Sequence, residues 1–174
     1  MKKLVIVIIF LCLITCTRRT THRNIASLPK YDYSVKVIGI SDGDTFDGLT
    51  QDKIEIRFRI YGIDAPEKKQ AFSDKSKKYL SDLIYGEKVS IKVQKKRDGF
   101  GRPIVWVYTP SGKDVGAEML KAGMAWHFKE YDNSQEYAEI ENAAKANRIG
   151  LWGHTSQIPP WDYRKKSNSQ IQAE

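Results

Sequence analysis

Alternation of apolar and polar residues predicts short β-strands in the first two thirds of the chain. It is clearest at residues 54–60, where isoleucine and phenylalanine alternate with glutamate and arginine. This period of two is typical of a strand with one face in a protein core. Similar apolar or aromatic runs occur at 33–37, 89–94 and 103–108. The stretches "DGDT" (42–45) and "DGFGR" (98–102) have turn chemistry and are expected to join such strands.

Helical spacing of apolar residues, ended by glycine, predicts three helices at residues 73–85, 114–122 and 133–149. Asp114 is a suitable N-cap for the second helix, and Asn133 with Glu136 has the spacing of a capping box for the third. The aromatic and basic stretch near the C-terminus begins with two prolines, so no helix is expected to continue through it. Short strands with inserted and appended helices indicate an α+β, mainly β fold built on a small antiparallel barrel.

The N-terminus has the pattern of a secretory signal peptide. A cationic start at Lys2 and Lys3 precedes an uncharged apolar run at 4–14. The run is shorter than the ~20 residues of a membrane-spanning helix and has the length of a signal-peptide core. It ends in "LITC", which resembles a lipoprotein box with Cys16 as the acylated residue. Residues 1–16 therefore predict export to a secreted, periplasmic or membrane-anchored lipoprotein state; an uncleaved apolar anchor is the alternative.

The remaining chain is long enough for one domain with short extensions. We predict a polar tether at 17–30, a folded domain at 31–166 and a disordered tail at 167–174, with a monomer as the default state. Both cysteines lie within the first 16 residues, so no disulfide is expected in the domain. The 29 lysines and arginines exceed the 21 acids, giving a net charge of +8 that favours a polyanionic partner.

Charged side chains are concentrated at the predicted strand ends and turns, where functional residues tend to lie. They are Asp42, Asp44, Arg59, Asp64, Glu67 and Arg102. Carboxylates can bind a hard cation such as Ca²⁺ or orient a water molecule, and arginine forks match phosphate oxygens. Hydrolysis of a phosphodiester requires such groups. Each residue alone is equally consistent with a turn acid or a solvated arginine, so the functional prediction rests on the whole set.

A series of motifs resembles, in order, the staphylococcal-nuclease-like (thermonuclease) family. They are "SDGDTF", "IEIRFRIYGIDAPE", "KRDGFGRPIVWVY", "EMLKAGMAWHFKEY", "AAKANRIGLWG" and "PPWDYRK", and they cover about residues 33–166. The resemblance implies a five-stranded OB-fold barrel with about three helices and a Ca²⁺ site in a surface pocket. It also implies an endonuclease that hydrolyses phosphodiester bonds of DNA or RNA. Mg²⁺ and Mn²⁺ are other metals that the same oxygen ligands could bind.

The same resemblance assigns the metal site. Asp44 and Asp64 match the carboxylate ligands of the family, and the backbone carbonyl of Ala65 matches a further ligand. Asp42 matches an acid that lies close to the metal. These assignments are expectations from the resemblance and do not follow from spacing alone.

The resemblance also assigns the reacting groups. Glu67 matches the carboxylate that acts on the attacking water, as a general base or by orienting it. Arg59 and Arg102 match the arginines that bind phosphate and stabilise the phosphorane-like transition state. Tyr131 is expected to stack on a base of the substrate. Phe100 stands where the staphylococcal enzyme has a tyrosine, so one hydroxyl contact to phosphate is expected to be absent.

Three other interpretations remain open at this stage. The first is an OB-fold module that binds nucleic acid without cutting it, although such modules are expected to lose site acids or arginines. The second is a surface lipoprotein that uses only the anchor. The third is a nuclease with His127 as its base, which we weigh less because no second histidine accompanies it. The basic runs at 92–97 and 164–166 are interpreted as solvated surface outside the site.

Overall fold

The computed structural model describes residues 31–155 and 157–171; the predicted signal peptide (1–16) and tether (17–30) lie outside them. In chain order its elements are β1 (Tyr33–Ile40), β2 (Thr45–Leu49), β3 (Glu55–Ile60), β4 (Ile63–Asp64), α1 (Ser73–Ile84), β5 (Lys88–Lys95), β6 (Ile104–Tyr108), α2 (Val115–Lys121), β7 (Trp126–His127), α3 (Gln135–Ala146), a 3₁₀ turn (Gly150–Gly153) and α4 (Pro160–Ile171). Within this part of the chain, no helix is both long enough and apolar enough to cross a membrane.

Five strands form a closed barrel in the order β1-β2-β3-β6-β5, with β5 paired back to β1. The predicted five-stranded OB-fold barrel is therefore confirmed. The prediction that the barrel is antiparallel is wrong for one pair, because β3 and β6 run parallel. A closed ring with an odd number of strands cannot alternate direction throughout, so at least one neighbouring pair must be parallel. Strands β4 and β7 form a separate two-stranded sheet beside the barrel.

The barrel interior is filled by the apolar face of each strand. Phe46 of β2 and Phe58 of β3 are fully buried, and their rings stack with centroids 5.2 Å apart. Val35, Val105 and Val107 are also almost fully buried. Successive side chains of a strand point to opposite faces, so burial of Phe58 and Ile60 turns Arg59 away from the barrel interior. The core thereby fixes the direction in which Arg59 points.

The three predicted helices are present as α1, α2 and α3. Each ends one to three residues earlier than predicted, and α2 and α3 also begin one and two residues later. Asp114 caps α2 as predicted, accepting a hydrogen bond from the Ala117 N–H at 3.1 Å. The predicted capping residue of α3, Asn133, is wrong. Ser134 is the cap: its Oγ accepts from the Tyr137 N–H at 3.3 Å and donates to Asp132 Oδ2 at 2.8 Å. Asparagine and serine can both cap a helix. Ser134 is the cap here because its hydroxyl also donates to the buried Asp132 carboxylate.

Replacing the true cap of α3 is expected to cost stability that replacing its neighbour does not. We expect Ser134→Ala to lower the free energy of unfolding by about 1 kcal/mol, the usual effect of a lost N-cap. Asn133→Ala, at an exposed position one residue earlier, should change it by no more than about 0.5 kcal/mol. Urea denaturation of both variants measures the difference. Equal losses would contradict the assignment of Ser134 as the cap.

A fourth helix, α4, occupies the segment where none was expected. It begins at Pro160, and the Pro159 carbonyl accepts from the Tyr163 N–H at 3.0 Å. Proline is well suited to the first position of a helix because its fixed φ is helical and its missing N–H would have no helical partner there. The two prolines therefore start a helix instead of preventing one. Helix α4 reaches Ile171, overlapping the predicted tail (167–174), whose last three residues lie outside the described part.

Candidate functional site

A pocket of about 760 Å³ opens where β3, β4, the loop after β4, the β5–β6 turn and α4 meet. All eight site residues predicted from the sequence line it. They are Asp42, Asp44, Arg59, Asp64, Ala65, Glu67, Arg102 and Tyr131. The structure thus brings together residues from four separate parts of the chain. Their roles stay predictions, but their convergence on one cavity is an observation.

The turn between β1 and β2 holds the first acids in place. The Asp44 N–H donates to Asp42 Oδ1 at 3.1 Å, and Asp44 Oδ2 accepts from the Ala65 N–H at 2.6 Å. Gly43 lies against α1 so closely that an added Cβ would be 1.9 Å from Ser76 Oγ. Only glycine permits this approach. The turn is therefore packed directly against α1 and the end of β4, which places Asp44 next to Asp64.

Asp44 is in an environment that favours a nearby cation. Its side chain is almost completely buried, and burial raises its pKa well above the ordinary value. The Arg59 charge lowers the pKa of Asp44, whereas the nearby Asp42 and Asp64 carboxylates raise it. The net effect is upward because desolvation, the largest cause, outweighs the attraction of Arg59. A bound cation would stabilise the ionised form of Asp44.

Arg59 bridges the two predicted metal-binding carboxylates. Its Nη1 lies 2.6 Å from Asp44 Oδ1, and its Nη2 donates to Asp64 Oδ1 at 2.8 Å. The Nη1 contact is an ion pair by distance but lacks the alignment of a hydrogen bond. The Arg59 side chain is only 13% exposed. One guanidinium group therefore links both acids at the bottom of the pocket, with part of its donor capacity unused.

Arg102 is held by the glycine-containing turn after β5. Its Nε donates to Asp98 Oδ2 at 2.9 Å, and the backbone N–H groups of Phe100 and Arg102 donate to Asp98 Oδ1. Partial burial would raise the pKa of Asp98, but these hydrogen bonds outweigh it and lower the pKa. Asp98 is a site residue that the sequence interpretation missed. It fixes the turn and orients the Arg102 guanidinium along the pocket wall.

Arg164 of α4 is the largest departure from the sequence-based site. It was predicted as solvated surface, but its Nη2 donates to Asp64 Oδ2 at 2.8 Å and its Nη1 forms a short contact with Glu67 Oε1. Burial alone would lower the pKa of Arg164, but hydrogen bonds to Asp64 and Glu67 outweigh it and raise the pKa. The sequence feature that could have identified Arg164 as a site residue is its position in "PPWDYRK", the last motif of the family resemblance.

Aromatic side chains also line the pocket. Tyr131 is 60% exposed, its ring packs on Phe128 with centroids 4.8 Å apart, and its carbonyl accepts from the Tyr61 hydroxyl. The Phe100 side chain is also exposed, and its ring centroid lies 5.1 Å from the Arg102 guanidinium carbon. His127 is not among the residues lining this pocket. It is buried and its Nε2 lies 2.9 Å from Asp132, so the structure gives it a packing role.

The residues present fit a hard cation that retains part of its water shell. Over residues 31–155 and 157–171, no three His, Cys, Asp or Glu side chains converge as a ready metal site. Asp44 and Asp64 supply two carboxylates, and the adjacent Ala65 carbonyl is a third oxygen. Ca²⁺ takes six to eight oxygen ligands, with water among them. Burial is the observation that favours such an ion: the Asp44 and Asp64 side chains are 8% and 1% exposed, and a bound cation would keep them ionised.

Comparison with known proteins gives one consistent result. The family model described as "Staphylococcal nuclease homologue" matches residues 57–154, more than half of the chain. A Haemophilus influenzae protein named "Uncharacterized endonuclease" is 41% identical over 131 residues, covering 75% of this chain and 72% of its own length. A Shigella flexneri protein named "Micrococcal nuclease" is 35% identical over 157 residues, covering 83% and 88%. The chain therefore belongs to the staphylococcal nuclease homologue family.

Proposed function

We propose that this protein is an exported nuclease that hydrolyses phosphodiester bonds of DNA or RNA with a bound Ca²⁺ ion. The observation that carries the proposal is the pocket itself, where two buried carboxylates, a half-exposed glutamate and arginine side chains converge. Membership of a nuclease family supports nuclease activity, and relatives named endonuclease and micrococcal nuclease agree with it. Export is proposed from residues 1–16 alone.

Asp44, Asp64 and the Ala65 carbonyl would hold the cation. When bound, the cation would neutralise phosphate charge and polarise the phosphoryl oxygen. The protein contributes a preformed arrangement, because the Asp44 carboxylate is already fixed by the Ala65 N–H and the Thr45 hydroxyl. Asp44 is thus held before the ion binds, whereas the cation would have to share or replace the Arg59 and Arg164 contacts of Asp64. We assign Ca²⁺ because the family resemblance implies it; the three protein ligands are hard oxygens, which Mg²⁺ and Mn²⁺ also accept.

Glu67 and the two strand-end arginines would act on the substrate. Glu67 is 37% exposed at the pocket wall, where it can accept a proton from water or orient it. Arg59 and Arg102 present guanidinium groups that match the equatorial phosphate oxygens and stabilise charge developing there. Tyr131 offers an exposed ring to a neighbouring base. The basic net charge of +8 would raise the local concentration of the polyanion.

The test is digestion of single-stranded DNA, duplex DNA and RNA by the full-length chain in Ca²⁺, Mg²⁺, Mn²⁺ and EDTA. We expect cutting in Ca²⁺ that stops in EDTA and returns when Ca²⁺ is added back. The substrate panel shows which nucleic acid is preferred, and a circular single strand reports internal cutting. Retained binding of nucleic acid with no cutting in any metal would refute the nuclease and leave the non-catalytic binding module.

A further inference from the structure

The C-terminal helix α4 contributes a third arginine to the pocket. Arg164 Nη2 lies 2.8 Å from Asp64 Oδ2, its Nη1 is 3.3 Å from Asp64 Oδ1, and the same Nη1 contacts Glu67. One guanidinium thus joins a proposed metal ligand to the carboxylate proposed to act on water. The match to the family model covers Asp64 and Glu67 but ends at residue 154, ten residues before Arg164.

Two further contacts hold α4 and the residues just before it against the pocket. The Trp161 ring stacks on Phe128, with centroids 5.4 Å apart and planes 2° from parallel. Just before the helix, the Ile158 carbonyl accepts a hydrogen bond from Gln70 Nε2 at 2.6 Å. Gln70 Oε1 in turn accepts from the Glu67 N–H at 2.9 Å. The C-terminal segment is therefore joined to the backbone of the Glu67 loop as well as to the Glu67 side chain.

Glu67 depends on these contacts because its side chain is partly exposed on a loop. The loop lies between β4 and α1 and contains no regular element, and 37% of the Glu67 side chain is exposed. Arg164 is the charged partner that contacts it. An unrestrained glutamate samples several rotamers, and a group acting on water must lie within about 0.5 Å of its productive position. The Arg164 guanidinium is itself held by two contacts to Asp64, so its Nη1 offers Glu67 a positioned charged donor that solvent does not.

We propose that Arg164 is a positioning residue of the active site: docking of α4 places its guanidinium between Asp64 and Glu67, where it holds the Glu67 carboxylate ready to act on water. This inference rests on the nuclease function proposed above and assigns a residue to the same site. It also has a consequence for the metal. Arg164 and a cation both take Asp64 as a partner, so the two compete for that carboxylate, and a bound cation leaves Arg164 with Glu67.

Arg164→Gln in the full-length chain is expected to lower kcat by about 10- to 100-fold, as loss of an orienting partner typically does. KM for the nucleic acid should stay the same, because the variant removes a contact to Glu67 and none to substrate. Calorimetric titration with Ca²⁺ and no nucleic acid gives a second readout. There the variant should bind Ca²⁺ about fivefold or more tightly, since a competing charge has left Asp64. Tighter binding would show that Arg164 competes with the cation for Asp64, and the role of Arg164 toward Glu67 is tested separately by a double-mutant cycle.

The charge-matched control is Lys165→Gln, which removes one positive charge from the next residue of α4. Lys165 is paired with Asp162 on the same helix, so we expect wild-type kcat and Ca²⁺ affinity. Arg164→Lys retains the charge without the fork and should recover part of kcat. Thermal unfolding of each variant identifies loss of the fold as a cause. If folded Arg164→Gln has the wild-type kcat or the wild-type Ca²⁺ affinity, the proposal is overturned.

A double-mutant cycle shows whether Arg164 acts through Glu67. In a Glu67→Gln background, adding Arg164→Gln should cause no further loss of kcat, because the carboxylate that Arg164 positions is already gone. Additive losses would contradict positioning and indicate an independent contact to phosphate. The two proposals fail separately. A wild-type chain that never cuts refutes the nuclease, whereas a cutting chain that is indifferent to Arg164→Gln refutes only the role of Arg164.

Discussion

Arg59→Met is expected to destabilise the protein and to abolish most of its activity together. We expect the free energy of unfolding to fall by about 3–5 kcal/mol, the usual cost of leaving a buried charge without its partner. Cutting should fall by about 10²–10³-fold, the usual effect of removing one donor that stabilises transition-state charge. Methionine keeps most of the side-chain volume. The loss of stability would therefore come from the missing charge and its contacts and not from a cavity.

The stability loss follows from where Arg59 lies. Its guanidinium bridges Asp44 and Asp64, whose side chains are 8% and 1% exposed. Without it, Asp44 would keep its burial and the repulsion from Asp42 and Asp64 but would lose its one positive neighbour. Added Ca²⁺ should restore part of the lost stability, because a cation bound to the native state replaces the missing charge.

Arg57 provides a matched control on the same strand face. It lies two residues before Arg59 in β3, pairs with Asp47 at 2.7 Å, and is 58% exposed. Asp47 is 15% exposed and is held by two hydrogen bonds from Arg57, so Arg57→Met should cost about 1–2 kcal/mol, less than Arg59→Met, with little effect on cutting. Urea denaturation with and without Ca²⁺ measures the two variants. If Arg59→Met loses no more stability than Arg57→Met, the bridging role of Arg59 is refuted.

Local sequence patterns placed charged residues at strand ends and turns, and the resemblance to the family singled out those expected to form the site. Asp44 and Arg59 could be placed because each follows or ends a strand whose alternation is visible. Asp98 was missed because its role depends on accepting hydrogen bonds from a turn that it helps to form. Ser134 was missed because two adjacent residues could cap α3, and a hydrogen bond to Asp132, which is itself held by buried His127, decides between them.

Arg164 shows the limit of that approach most clearly. It is 100 positions away from Asp64 in the sequence, and no local periodicity connects them. A run of basic residues next to prolines is ordinary surface chemistry in most proteins, and the partner carboxylates become visible only once α4 packs on Phe128. The parallel pairing of β3 and β6 is similar: it follows from closing five strands into a ring, not from the pattern within either strand.

Glu67→Gln is expected to reduce kcat by about 10²–10⁴-fold, the range that a positioned general acid or base contributes. The amide is nearly the same size as the carboxylate and keeps an oxygen that can accept from Arg164, so α4 should stay docked. Because the side chain is 37% exposed, we expect the free energy of unfolding to change by about 0.5 kcal/mol or less. Binding of nucleic acid in Ca²⁺ should be retained.

Glu87→Gln is the control for loss of a negative charge. Glu87 is exposed, lies between α1 and β5, and is not among the residues that line the pocket. Single-turnover cutting and Ca²⁺ titration of both variants separate chemistry from metal binding. Unimpaired cutting by Glu67→Gln would remove Glu67 from the reaction. Because Arg164 is proposed to act through the Glu67 carboxylate, the same result would also refute the positioning role of Arg164.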